Sequence, residues 1–300
     1  MGTPEFAVAS LDALVNAGCN IIAVVTAPDK PAGRGMKMTE SAVKKYAIEK
    51  NIPALQPEKL KDPTFNDQLK NLKADIQVVV AFRMLPEMVW SSPPLGTINL
   101  HGSLLPQYRG AAPINWAVIN GEKETGVTTF KLKHEIDTGD ILLQHSFAVG
   151  ENETAGEVHD RMKDIGAGVL VETIKGLANG TLTEKSQAAQ QPGNLKHAPK
   201  IFTETCRIDF TKSVEEVHNL IRGLSPFPGA FTNFRDKTMK IYRSEKGTTT
   251  VGVSVKPGEH ETDGRGVLQF ACADGFILVE DLQLEGKKRM NVEDFLRGLR

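Results

Sequence analysis

Along the first 180 residues, apolar positions switch repeatedly between a helical and a strand rhythm. Val8, Leu11, Leu14 and Val15 recur at helical spacing behind Thr3, which places Pro4 at the first helical position and Gly18 just past the end. The wholly apolar run IIAVV at 21–25 then predicts a buried strand. The exchange continues with a Lys-rich helix near 40–50, the strand IQVVVA at 76–81, a short helix from Pro86 to Trp90 and the strand TINL at 97–100. Pro113 and Gly121 bracket another helix, and VTTFKL at 127–132 and ILLQHSF at 141–147 read as later strands. Thr154 and Glu157 form a capping box ahead of a long helix with the stripe Val158, Met162, Ile165 and Val169. Helices alternating with buried strands predict an α/β domain with a doubly wound, mainly parallel sheet.

The rhythm stops at Thr181. From there to residue 199 the chain is rich in Gln, Pro, Gly and Ala without apolar periodicity, which predicts a linker between a domain over 1–180 and a second over 200–300. In the latter, Ser213 and Glu216 cap a helix carrying Val214, Val217, Leu220, Ile221 and Leu224. MKIY at 239–242, TVGVSV at 250–255, GVLQFACA at 266–273 and GFILVEDLQL at 275–284 then read as the short strands of a small β-barrel. Two domains suit 300 residues, of which 40% are hydrophobic.

The run NLHGSLLPQYRGAAP (99–113) places Asn99, His101 and Ser103 at alternate positions before a turn rich in proline and glycine. Alternate residues of a strand share one face, and open α/β sheets hold ligands at strand ends. HEIDTGDILLQ adds Asp137 in a second polar turn, a carboxylate able to return in space to the imidazole. Singly, these are ordinary surface and turn residues. Together, an amide, an imidazole and a carboxylate are what transfer of an acyl group to an amine needs.

With GTPEFAV at 2–8, PDKPAGRG at 28–35, AFRMLP at 81–86 and DTGDILLQ at 137–144, in this order, the chain resembles the methionyl-tRNA formyltransferases. HGSLLPxYRG is shared by the wider group of enzymes using 10-formyltetrahydrofolate; the GTPEF opening and the PAGRG loop narrow the acceptor to charged initiator tRNA. The resemblance implies a Rossmann-like formyltransferase domain and a C-terminal OB-like domain that contacts tRNA. It places the folate near AFRMLP and SLLP, giving Phe82, Met84, Leu85, Ser103, Leu104, Leu105 and Pro106 as folate-binding candidates. It also implies that the basic loop enters the acceptor stem, with Arg34 as the principal contact and Lys30 and Lys37 on phosphates. In such a site Asn99 stabilises the oxyanion, and His101 donates a hydrogen bond or moves a proton. Asp137 holds one imidazole tautomer or shares a water with it. Ser103 shapes the loop, and no covalent enzyme intermediate is needed. The rivals are a formyltransferase acting on a sugar amine, a 10-formyltetrahydrofolate hydrolase and an inert RNA-binding relative. GTPEF itself reads either as a strand-to-helix turn or as a ligand contact.

A net charge of −1 excludes nonspecific coating of nucleic acid, and the split between +2 from Lys196 onward and −3 before it allows only local basic patches. No apolar run approaches the ~20 residues of a membrane span, and no secretory signal opens the chain. Cys19, Cys206 and Cys272 lack metal-ligand spacing, so free cytosolic thiols, no metal and a cytoplasmic monomer are expected. In the family GTPEF follows a short apolar strand, whereas here only Met1 precedes Gly2. That predicts a central gap of ~10 Å in the sheet, as though an internal methionine had been taken as the start.

Overall fold

The structure, a computed structural model, describes residues 1–32, 36–189, 193–247 and 255–299. The chain forms two compact units. One comprises Met1–Arg109, Gly126–Ser146 and Asp160–Lys196; the other comprises Gly110–Thr125, Phe147–His159 and His197–Arg300.

The chain opens with helix α1 (Glu5–Asn16), one residue later than expected, because Pro4 is extended and serves as the N-cap. Strand β1 (Val24–Val25), the hairpin of β2 (Lys30–Ala32) and β3 (Lys37–Thr39), and helix α2 (Ala42–Glu49) follow. Strand β4 (Ala54–Leu55), helix α3 (Pro63–Asn71), strand β5 (Gln77–Val80), helix α4 (Glu87–Trp90) and strand β6 (Thr97–His101) lead to the polar loop. Beyond it lie β7 (Arg109–Gly110), α5 (Pro113–Ile119), β8 (Glu124–Lys131), β9 (Ile141–Ala148) and α6 (Ala155–Ala178). A four-stranded sheet has the order β5-β6-β8-β9, with β5 and β6 parallel and β6 and β8 antiparallel, while β1 pairs in parallel with β4.

Between β1 and β5 the sheet is held by two residues. The Gly2 amide donates to the Val25 carbonyl at 3.0 Å, and the Val80 amide donates to the Met1 carbonyl at 2.9 Å. Behind them lies an apolar cavity of about 180 Å³, lined among others by Leu14, Ile22, Val24, Val78 and Leu72. The strand expected over 21–25 is therefore only two residues long, because Ile21, Ile22 and Ala23 face this cavity and not a neighbouring strand. Gly2 is required by packing: a Cβ there lies 2.4 Å from that of Ala7 and 2.8 Å from the Val80 carbonyl oxygen.

Helix α6 covers the other side of the sheet. The capping box is present, with Thr154 N and Oγ1 each donating to Glu157 Oε2 at 2.8 Å. Gly166 brings the helix close to β6 and β8, where an added Cβ meets Leu100 Cδ2 at 3.0 Å and Val127 Cγ1 at 3.5 Å. A hydroxyl pair, Thr129 with Thr173 at 2.7 Å, fixes the same contact.

In the second unit, β10 (His197–Ala198) precedes α7 (Val214–Gly223), whose Ser213–Glu216 capping box is complete. The strands β11 (Ala230–Phe234), β12 (Lys237–Gly247), β13 (His260–Thr262), β14 (Leu268–Ala271), β15 (Phe276–Leu284) and β16 (Met290–Asn291) come before α8 (Val292–Arg297). They form one antiparallel sheet in the order β11-β12-β15-β14-β13, with β16 on β15, and Phe234, Met239, Ile241, Phe270 and Leu282 fill the core. Most of the expected strand TVGVSV lies outside the described residues.

Candidate active site

Strand β6 sets the geometry. Ile98 and Leu100 are buried on one face, so the pleat turns Asn99 and His101 to the other, where Asn99 lies opposite Phe130 and His101 opposite Thr128 of β8. His101 is only 7% exposed and meets Phe130 edge-on. Asn99 is half-buried, and no described residue hydrogen-bonds its amide.

Ser103 falls beyond the end of β6, so the alternation stops at His101. Its buried hydroxyl donates to the Gln107 carbonyl at 2.6 Å. Thr128 is the hub of this loop: its hydroxyl donates to the Ser103 carbonyl at 2.6 Å and accepts from Leu105 N at 3.1 Å and Gln144 Nε2 at 3.0 Å. Tyr108 closes the loop in the left-handed region (φ 59), with its amide on the Lys196 carbonyl at 2.6 Å.

The turn at Tyr108 aims its own carbonyl at His101 Nε2, 2.9 Å away. A carbonyl only accepts, so Nε2 carries the hydrogen of the neutral ring and leaves the lone pair on Nδ1. Nδ1 lies 3.8 Å from Asp137 Oδ2, beyond direct hydrogen bonding but within reach of one shared water or an intervening amine proton. The tautomer is thus set by the Tyr108 carbonyl and not by Asp137.

Asp137 itself is left-handed (φ 56), in a turn that only glycine allows to close: a Cβ on Gly139 lies 1.6 Å from the Lys131 carbonyl oxygen. Gln187 donates from Nε2 to the Asp137 carbonyl at 2.9 Å and to that of Gly139 at 2.7 Å. Arg109 grips the Gln187 amide oxygen from behind, through Nε at 3.1 Å and Nη2 at 2.7 Å.

The folate candidates divide by burial. Leu105 packs with Phe130 and Ile141, and Leu85 belongs to the cluster of Val25, Phe65 and Val79, against which half-buried Phe82 rests. Pro106 is buried, Leu104 is half-buried, and Met84 is 74% exposed. Phe82, Met84 and Leu104 thus keep exposed surface, while Leu85, Ser103, Leu105 and Pro106 are buried. In the basic hairpin, Lys30 pairs with Thr39 and Lys37 with Ala32; Lys30 is exposed, and Arg34 lies outside the described residues. Among the described residues, no cluster of His, Cys, Asp or Glu could hold a metal, and no helix is long and apolar enough to cross a membrane.

Residues 1–174 match the formyl transferase family, and residues 200–300 match the formyl transferase C-terminal domain. A methionyl-tRNA formyltransferase of Bacteroides fragilis is 50% identical over 99% of this chain and 93% of its own length; that of Bacteroides thetaiotaomicron is 51% identical over 100% and 94%. The chain belongs to the methionyl-tRNA formyltransferase family. Its fold is also that of WlaRD, a sugar 3N-formyl transferase solved with dTDP and 5-N-formyl-THF, at a TM-score of 0.69, 22% identity and coverage of 96% and 97%. This chain has a Rossmann-like formyltransferase domain and a C-terminal domain with an OB-like antiparallel sheet.

Sequence reasoning missed Tyr108, Arg109 and Gln187. A backbone carbonyl leaves no residue signature, and Gln187 sits in a stretch without periodicity. Arg109 lies within the run 99–113, where nothing in its side-chain type sets it apart.

Proposed function

We propose that this formyltransferase moves the formyl group of 10-formyltetrahydrofolate to the α-amino group of methionine on initiator tRNA, with Asn99, His101 and Asp137 as catalytic residues. The observation that carries this reading is His101 with Nε2 committed to Tyr108 and Nδ1 facing the Asp137 carboxylate across 3.8 Å. The amine attacks the formyl carbon and a C–N bond forms. Asn99 donates to the oxygen as it becomes an oxyanion. His101 Nδ1 takes a proton from the attacking nitrogen, with Asp137 balancing the imidazolium, and returns one to the folate nitrogen as its bond to the formyl carbon breaks. The folate would lie along Phe82, Met84 and Leu104, bounded by Leu85, Ser103, Leu105 and Pro106. Arg34, Lys30 and Lys37 would meet the acceptor stem, with the domain over 200–300 adding tRNA contacts after a 181–199 connection. We place the enzyme in the cytoplasm as a monomer.

Formyl transfer assayed with charged initiator tRNA, a noncognate charged tRNA, a sugar amine and water tests this. Preference for the charged initiator is expected. Faster transfer to the sugar amine, or release of formate alone, would overturn the acceptor assignment.

A further inference from the structure

We infer that Gln187, locked by Arg109, is a positioning residue for Asp137 in formyl transfer. This rests on the role of Asp137 proposed above. Gln187 is 3% exposed and its amide is fully engaged: two hydrogens on the carbonyls of Asp137 and Gly139, and the oxygen on the Arg109 guanidinium. Arg109 can only donate and the carbonyls can only accept, so a single amide orientation satisfies all four bonds. Reversing the amide would set donor against donor and acceptor against acceptor. Gln187 therefore pins both ends of a three-residue turn whose first member is left-handed and whose last tolerates no side chain. The neighbouring backbone is tied as well, with Ile141 N donating to the Lys185 carbonyl at 2.8 Å and Lys185 N to that of Ile141 at 2.9 Å.

The two catalytic side chains thus share one reference. Tyr108 fixes His101 through its carbonyl, and the next residue, Arg109, fixes Asp137 through Gln187. Imidazole and carboxylate, 3.8 Å apart, are thereby both tied to this dipeptide.

The test compares steady-state formyl transfer, using 10-formyltetrahydrofolate and charged initiator tRNA, in Gln187→Ala, Asp137→Ala and the double variant. A displacement on the order of 1 Å in a catalytic group costs about 10²-fold, so Gln187→Ala is expected to lower kcat by about 10- to 100-fold with both KM values within about two-fold of the parent. Added to Asp137→Ala, it should cost less than about two-fold, because nothing is left for it to position. Equal losses in the two backgrounds would mean a general structural role and overturn the inference, as would wild-type kcat in Gln187→Ala. If Asp137→Ala itself keeps full activity, the catalytic reading falls first and takes this one with it. Should Gln187→Ala not fold, Gln187→Met keeps the side-chain length without the hydrogen bonds and is held to the same outcomes.

Discussion

The roles proposed for Asn99 and His101 differ, although both side chains stand on one face of the same strand, and their substitution should separate those roles. Asn99→Ala removes one donor from a developing oxyanion, which costs about 10²- to 10³-fold in kcat. A half-buried amide with no described protein partner adds little to the fold, so the melting temperature should stay nearly constant; a large drop in thermal unfolding would reassign Asn99 to structure. His101 and Asp137 are predicted to act as a unit. Kinetics of the double alanine variant should match the worse single variant, and multiplicative losses would dissolve the pair. Asn99 and His101 stood out in the sequence by side-chain type and a period of two, and Asp137 by its polar turn. Tyr108 did not, since its contribution is a carbonyl direction set by backbone, and neither did Gln187, which reaches Asp137 across 50 positions of sequence.

At the scale of elements, legibility followed length and apolar content. Helix α6 and strand β6 were readable because each carries a sustained pattern. Helix α3 buries only Phe65 and Leu69 among its apolar residues, too few for a stripe, although Asp62 and Pro63 signal its start; β4 is two residues long. Met1 and Gly2 bond to both β1 and β5 where a wide gap was expected, and an apolar cavity remains beside them. An apolar extension of about five to seven residues ahead of Met1 should enter it as a strand between Ile22 and Val78. Burying even two aliphatic side chains is worth about 3 kcal/mol or more, so differential scanning should show a rise of about 6 °C or more. Identical melting of extended and unextended protein would show that the cavity does not accept a strand.

For the whole molecule, a net charge of −1 means that attraction for RNA must come from local clusters such as the β2–β3 hairpin. Arg34→Ala is expected to raise the KM for charged tRNA while leaving that for the folate unchanged. The logarithmic salt dependence of tRNA binding should also become shallower by about one unit, as the loss of one phosphate contact requires. An equal rise in folate KM would remove Arg34 from the RNA side. The division of the chain bears on inheritance as well. It passes between the two units five times, so recombination at a single joint cannot transmit either unit intact. A crossover after Lys196 would deliver β11 to β16 from one parent but α5 from the other. Asn115 Nδ2 of α5 donates to the Gly223 carbonyl at 2.7 Å, and Ile119 leaves no room for a Cβ on Gly223, so a tail grafted from a distant relative should seat only when residues 110–125 travel with it.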